Sequence, residues 1–293
     1  MKYWNNYWSL NTKGDCFSLD GKSDLSLIMS KFWDEYFLKK GNNAYVLDLA
    51  CGNGFVGKSA IRNGRNLYCI GVDQSSDLGQ THYENKDTKS FLRLLPNMSV
   101  DNLKFVDNEF DFIVSQFGFE YSPNSYNVLA NCLRQLKPNG ELRLLIHKQS
   151  SVIFEHSSNE LVILKFLLGE YNIFNKMRNK TLLSDVRNTI TDKCNSLILD
   201  SADITTSILV NIYTFLDALL EGKGVDSSRI NELEVMYTQQ KERLEEQIKV
   251  SKNEDGVQNL TDSLKELSFR GVEANIFESA EFGVVGWLVE AQK

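Results

Sequence analysis

Apolar positions follow two regimes along this chain. From residue 44 to residue 147, short apolar runs alternate with segments of helical spacing. From residue 151 to residue 269 the spacing is helical almost throughout, and only residues 272–289 return to strand character. Within the first regime, residues 25–38 lead in with Leu25, Ile28, Met29, Phe32, Trp33, Tyr36 and Phe37 at helical intervals. Gly41, Asn42 and Asn43 end that helix. Residues 44–50 form a short apolar run interrupted by one acid, Asp48, the pattern of a strand buried on both faces. Gly52, Asn53 and Gly54 make a turn, 55–63 a helix and 66–72 a second buried strand. Residues 91–95 predict a third strand, and Phe112, Ile113 and Val114 a fourth over 110–115. Residues 125–136 are helical, 137–140 read as a turn, and 141–147 as a further strand. Alternation of this kind predicts an α/β fold, a doubly wound and mostly parallel sheet with helices on both faces.

The second regime contains apolar stretches at 161–168 and 204–220. Residues 229–250 form a charged helix with Leu233, Met236, Leu244 and Ile248 on one side. Its heptads are not sustained, so an ordinary amphipathic helix is the simpler reading, and a homodimer through this region the sharper one. Two terminal strands, 272–277 and 283–289, are joined by a short polar loop and predict an antiparallel hairpin. Four regions follow: an aromatic, helical segment 1–43, an α/β core 44–150, a helical insertion 151–270, and the hairpin 271–293. An insertion of that length must pack as a cap or subdomain.

The 293 residues suit one large domain with an insertion, and 42% apolar residues suffice for a packed core. The formal net charge of −7 argues against a partner held through a phosphate backbone. Five cysteines, Cys16, Cys51, Cys69, Cys132 and Cys194, show no CxxC pair and no ligand spacing with histidine, which predicts reduced thiols. Residues 1–20 lack a basic stretch followed by an apolar one, and no apolar run reaches the ~18 residues of a membrane span. A cytoplasmic protein is expected.

Chemistry concentrates at residues 45–57. Gly52, Gly54 and Gly57 form a GxGxxG after a strand and before a helix, a turn that lets a ligand approach the backbone and a helix N-terminus. By itself the motif fits nicotinamide and flavin binders too. Asp48 separates the readings. A carboxylate among buried neighbours is costly unless paired. Beside a pyrophosphate it gains little, whereas a ligand with a cationic amino-acid end gains much. Its simpler role is to cap the turn that follows. Asp73 ends the second strand about twenty residues beyond the turn region, where a carboxylate accepts from ribose hydroxyls. Its simpler role is a cap before Ser75 and Ser76.

The ordered segments VLDLACGNG (46–54), GVDQS (71–75), FDFIVSQFGFEYS (110–122) and LRQLKPNGELRLLIH (133–147) resemble the motif set of the class I S-adenosylmethionine-dependent methyltransferases. The resemblance spans residues 44–148. It implies a Rossmann-like sheet of seven strands whose last is antiparallel, S-adenosyl-L-methionine as cofactor, and segment 1–43 over the cofactor site. It assigns the methionyl end to Asp48, Ala50, Gly52 and Gly54, and the ribose to Asp73 with Gln74. Adenine falls to Ser99 and Val100, although many relatives carry an acid where Ser99 stands. Ser115 and Gln116, with Phe117, are assigned to the side of the methyl donor.

Methyl transfer from a sulfonium is an in-line displacement that gains most from placement, and an oxygen acceptor often also needs a base. His147, at the end of a parallel strand, is the first candidate; its simpler role is to line the pocket. His82 and His156 are weaker. Glu120 and Tyr121 follow the fourth strand and are the other catalytic candidates. Trp4, Trp8, Phe117, Phe119 and Tyr121 are candidates for an aromatic lining, or simply for core. No Asn/Asp-Pro-Pro-aromatic motif and no Pro-Cys follow the fourth strand, which argues against methylation of nucleic-acid bases. A metal-free enzyme acting on a small molecule, sugar or glycan at oxygen remains. Two alternatives stand beside it: a NAD-linked oxidoreductase using the same turn, and a non-catalytic methyltransferase-like binding protein.

Overall fold

The structure is a computed structural model that describes residues 2–10, 25–40, 42–179, 188–193, 207–221 and 227–293. Cys16 and Cys194, and the start of the apolar stretch at 204–220, lie outside the described residues. The chain divides into two compact units. One comprises the described residues of Met1–Leu19, Asp24–Phe154 and Val250–Lys293; the other falls within Glu155–Lys249.

The first unit is built on β1 (Tyr45–Leu49), β2 (Tyr68–Val72), β3 (His82–Asn85), β4 (Ser90–Leu95), β5 (Phe110–Gln116), β6 (Leu136–Ile146), β7 (Arg270–Ser279) and β8 (Gly283–Gln292). They form one eight-stranded sheet in the order β3-β4-β2-β1-β5-β6-β8-β7. β4, β2, β1, β5 and β6 are mutually parallel, while β3 pairs antiparallel with β4, and β8 with both β6 and β7. The mostly parallel, doubly wound sheet and the terminal hairpin agree with the sequence. The count of seven strands does not, because β3 adds an edge strand. Its sequence, His-Tyr-Glu-Asn, has no apolar run, since an edge strand need not be buried on both faces.

A second difference concerns residues 137–140, read above as a turn. They lie inside β6. Phe110 pairs with Leu136 and Phe112 with Glu141, so four residues bulge out between two pairings. Asn139 takes φ 65° there. Turn residues are thus absorbed as an irregularity within one strand.

Helices cover both faces. On one lie α1 (Lys2–Leu10), α2 (Leu25–Lys40) and α3 (Phe55–Asn63). Trp33, Phe37, Met29 and Leu25 of α2 are buried there with Val46, Leu92 and Val114. Asp34 joins α2 to α3 by accepting from Ser59 Oγ (2.5 Å), Asn63 Nδ2 (2.6 Å) and Arg62 Nη2 (2.5 Å). On the other face α4 (Ser125–Gln135) buries Val128, Leu129 and Cys132 against Leu47, Ile113 and Leu144. Residues 254–266, grouped by pattern with the helical region, form a helix whose Val257, Leu260 and Leu264 belong to this same cluster.

The second unit is helical. Val152–Lys165 runs into it, followed by a π-helical turn at Phe166–Glu170 and by helices Ile173–Arg178, Ser207–Leu220 and Ser227–Val250. Its core holds Ile163, Leu164, Leu167, Ile173, Phe174, Leu216, Tyr237 and Leu244. Of the stripe predicted on the last helix, Leu244 is buried, Leu233 and Ile248 are partly buried, and Met236 is exposed. Among the described residues, no helix is long and apolar enough to cross a membrane.

Candidate functional site

The site begins where β1 ends. A parallel strand buried on both faces can tolerate a carboxylate only where a donor meets it. Asp48 is buried, opposite Gly71 on one side and Val114 on the other. Its Oδ2 accepts from Gly57 N at 3.2 Å. Gly57 lies in the first turn of α3, whose N-cap Gly54 has no side chain to cap with, so the strand acid serves as the cap. Among the described residues, Oδ1 has no hydrogen-bond partner. Burial pushes the carboxyl up to about 8; the Gly57 N–H works against this and the charge of Asp73 adds to it.

The turn itself requires glycine. Gly52 and Gly54 adopt φ 49° and 79°, the left-handed region where a side chain is strained. At Gly52 an added Cβ would also stand 2.3 Å from the Trp8 ring. Gly57 answers a different need: a Cβ there would approach Leu92 to 2.6 Å, so its absence lets α3 lie close on the sheet.

Asp73 ends β2. Its Oδ2 accepts from Gly52 N (2.9 Å) and its Oδ1 from Ser75 N (2.8 Å). The acid therefore ties the glycine turn to the loop after β2; no helix begins at Ser75 and Ser76, so the helix cap expected of Asp73 is replaced by this loop staple. Burial raises its pKa against these bonds.

A cleft opens beside these groups. Of the residues predicted to bind cofactor, Ala50, Asp73, Gln74, Ser99 and Val100 line it. Asp48, Gly52 and Gly54 are not in the lining; they form the turn that carries it. Ser115 and Gln116 are directed elsewhere. Ser115 Oγ donates to Leu49 O (2.9 Å) and accepts from Phe119 N (3.1 Å), latching β1 to the loop after β5. Gln116 Oε1 accepts from Trp33 Nε1 at 2.6 Å, toward α2. The cleft is met instead by the next two residues, Phe117 and Gly118.

The sequence reading missed Asp101. Its carboxylate faces the cleft, receiving Ser122 Oγ at 2.5 Å and Ser99 Oγ at 3.1 Å. The acid absent at Ser99 thus stands two residues later, and Ser99 helps hold it. The Ser-x-Asp spacing was the available signal.

Helix α1 supplies Trp4, Asn5 and Trp8 to the same cleft. Asn53 Nδ2 donates to Trp8 O (2.9 Å) and Ser76 N to Asn5 Oδ1 (3.0 Å). Trp4 meets the Tyr121 ring edge-on at 5.4 Å and lies nearly parallel to Trp8 at 6.2 Å. Four of the five predicted aromatic liners are therefore present. Phe119 is not; it is buried on the opposite side of the sheet with Leu47 and Leu129.

Of the catalytic candidates, only Tyr121 lines the cleft. His147 and Glu120 are buried one layer behind. Glu120 Oε1 accepts from His147 N (2.8 Å) and pairs with Nδ1 (2.6 Å), while Oε2 has no hydrogen-bond partner among the described residues. The imidazole packs against Phe117 at 4.6 Å and Tyr121 at 6.0 Å between ring centroids. His82 pairs with Thr81 on the edge strand, and His156 lies in the helical unit. Cys51, Cys69 and Cys132 are buried free thiols; burial pushes Cys132 up to about 12.

The methyltransferase-domain family model matches residues 47–144. A ubiquinone/menaquinone biosynthesis C-methyltransferase UbiE from Rickettsia typhi is 30% identical over 129 residues, covering 40% of this chain and 50% of that protein. A demethylmenaquinone methyltransferase from Thermotoga maritima is 34% identical over 104 residues, covering 36% of this chain and 44% of that protein. The chain thus spans about half the length of the curated relatives it matches. The crystal structure of a SAM-dependent methyltransferase from Archaeoglobus fulgidus aligns with a TM-score of 0.47 at 14% identity, covering 98% of this chain and 99% of that one.

Proposed function

We propose that this chain, whose residues 47–144 belong to the class I S-adenosylmethionine-dependent methyltransferases, binds S-adenosyl-L-methionine in the cleft beside the glycine turn and transfers its methyl group to a small-molecule acceptor. The observation that carries the reading is Asp48. A buried carboxylate with one unpartnered oxygen, beside a glycine turn, suits a ligand with a cationic amino-acid end. A dinucleotide would bring a pyrophosphate toward two buried acids, which argues against the NAD-linked alternative.

The residues divide the work. The glycine turn supports the methionyl end, with Asp48 beneath the turn and behind the cleft lining. Asp73 accepts from ribose hydroxyls with the lone pairs its backbone donors leave free. Ser99, Val100 and Asp101 frame the base. The cofactor supplies an electrophilic methyl on a sulfonium, a good leaving group. Placement of the acceptor by the aromatic wall then provides most of the gain. Tyr121 touches the acceptor, whereas Glu120 and His147 act through it by fixing its loop. Oxygen is the first reading for the acceptor atom. The Rickettsia typhi relative is named as a C-methyltransferase, which favours carbon as the second.

Calorimetric titration with S-adenosylmethionine, S-adenosylhomocysteine and NAD tests the cofactor. Both sulfur ligands should bind and NAD should not; the opposite outcome sinks the reading. Transfer of labelled methyl into a host metabolite extract then identifies the acceptor.

A further inference from the structure

We propose that Ser122 is a positioning residue that couples the base of the cofactor to the loop carrying Tyr121, through the carboxylate of Asp101. This coupling rests on the methyltransferase reading above and adds an order of binding to it: the donor binds first and sets the loop that meets the acceptor.

The chemistry starts at Asp101. Its Oδ1 receives Ser122 Oγ at 2.5 Å and its Oδ2 receives Ser99 Oγ at 3.1 Å. Backbone donors orient both hydroxyls. Ser99 Oγ accepts from Asp101 N at 3.3 Å, and Ser122 Oγ from Asn124 N at 3.1 Å. Each hydroxyl thus keeps its own hydrogen for the carboxylate. A carboxylate has about four lone-pair sites, so Asp101 retains room for a further donor from the cleft that it lines. Adenine presents acceptors at its ring nitrogens and one donor group, the exocyclic amine. Of these only the amine suits a carboxylate.

What Ser122 carries comes next. It follows the short 3-10 turn Phe119–Tyr121 and precedes α4. Tyr121, Ser122 and Pro123 line the cleft in succession, with Phe117 and Gly118 just before the turn. The front of this loop is anchored to β1. Phe119 N donates to Ser115 Oγ, which donates to Leu49 O, and a Cβ added at Gly118 would stand 2.5 Å from that of Ala50. The rear is tied to α4 by Asn124, whose Oδ1 accepts from Asn127 N, and to the base subsite by the Ser122–Asp101 bond.

One carboxylate therefore serves two partners, a loop of the protein and a base that comes and goes. A carboxylate held by three donors samples fewer rotamers than one held by two, so the order that the amine brings is shared by the loop. The coupling is reciprocal: a loop set by its acceptor holds Asp101 ready for the base. A base with a carbonyl in place of the amine would bring an acceptor toward an acceptor and leave the loop as it was.

Hydrogen–deuterium exchange at the amides of residues 119–122, on the intact chain, reads the loop directly. It is measured without ligand, with saturating S-adenosylhomocysteine, and with saturating S-inosylhomocysteine, which carries the carbonyl. S-Adenosylhomocysteine should slow exchange there about ten-fold, within the range usual for coupled sites, and the inosyl analogue far less. Ser122→Ala should lose the slowing, and Ser122→Thr, which keeps the hydroxyl, should retain it. A merely structural Ser122 would instead change exchange equally with and without ligand. Equal slowing by the two ligands, no slowing by S-adenosylhomocysteine, or slowing that survives Ser122→Ala overturns the proposal. The comparison of ligands on the unaltered chain stands whether or not Ser122→Ala folds, and the two variants decide with S-adenosylhomocysteine alone if the inosyl analogue does not bind. Uptake is followed by calorimetry on the same samples. A chain that takes up no S-adenosylhomocysteine refutes the cofactor reading instead, so the two failures are distinct.

Discussion

The acids at the glycine turn and the acid after β5 are held in different ways. Asp73 and the bonded oxygen of Asp48 receive backbone N–H groups, from Gly52, Ser75 and Gly57. Glu120 receives a backbone N–H from His147 and also its imidazole. Backbone donors are fixed by the fold, so the turn acids hold their carboxyl groups at a set place whatever neighbouring side chains do. The Glu120–His147 pair adds a side-chain contact to its backbone bond, and what rests on it is a wall of two rings, Phe117 and Tyr121. One region fixes two carboxyl groups, the other a surface. Substitutions should therefore divide into those that change cofactor affinity and those that change acceptor binding.

The largest effect is expected at Asp73. Asp73→Ala strips two buried N–H groups of their acceptor, and charge-assisted bonds contribute roughly 1.5–3 kcal/mol each. Affinity for S-adenosylhomocysteine should fall by about 100-fold by calorimetry. Asp73→Asn, which keeps one acceptor oxygen, should fall less. Unchanged affinity in both would reduce Asp73 to a turn staple.

Next comes the turn. Gly52→Ala combines a left-handed φ with the clash against Trp8 and should lower the unfolding free energy by about 2 kcal/mol in urea denaturation. Adding Trp8→Ala should recover the steric part but not the backbone part. Full recovery in the double variant would show that φ costs nothing.

Asp48 separates the regions by pH. Its folded pKa, about 8, stands above the unfolded value of about 3.9. The folded chain therefore holds the extra proton across that window. The stability this group contributes is present below the unfolded pKa and is lost as pH rises through about 8. A bound ammonium favours the carboxylate, so binding of S-adenosylhomocysteine should release a proton below about pH 8 and tighten as pH rises toward it. Titrations in buffers of different ionisation enthalpy measure that proton. Asp48→Asn should abolish it and weaken binding about ten-fold. Proton release that survives the substitution would move the effect to another group.

The smallest effect is expected at His147. A general base contributes 10²–10⁴-fold to turnover on the order usually found. A residue that only supports Tyr121 and Phe117 should cost roughly five-fold in His147→Ala, mainly through acceptor KM, with cofactor affinity intact. A loss confined to kcat and of the larger size would restore His147 as the base.

The strands that sequence made legible are those buried on both faces. β1, β2 and β5 are short apolar runs bounded by glycine and asparagine, and no other element explains such runs. β3 was illegible because one neighbour and partial exposure impose no pattern on His-Tyr-Glu-Asn. The bulge in β6 was hidden because Lys-Pro-Asn-Gly has the composition of a turn, and only the pairing on either side shows that the strand continues. In the site, Asp48 and Asp73 were legible from their places at strand ends. Asp101 was legible only as a Ser-x-Asp spacing, because the second hydroxyl that holds it, on Ser122, is distant in sequence. His147 was found at its strand end, but its burial behind Phe117 and Tyr121 depends on side-chain packing that no local pattern encodes.

Helix α1 lends three residues to the cleft from a segment of nine, and two hydrogen bonds tie it to the loops after β1 and β2. The acids that face the cofactor all come from β1 onward. One side of the cleft, from Trp4, Asn5 and Trp8, is thus written in a stretch of the gene apart from the donor's acids, while Phe117 and Tyr121 are written among the cofactor segments. Rewriting those few codons changes one wall of the cleft, and the Trp8–Gly52 and Trp4–Tyr121 contacts, with the Asn53–Trp8 and Ser76–Asn5 bonds, are the seams that any exchange must respect.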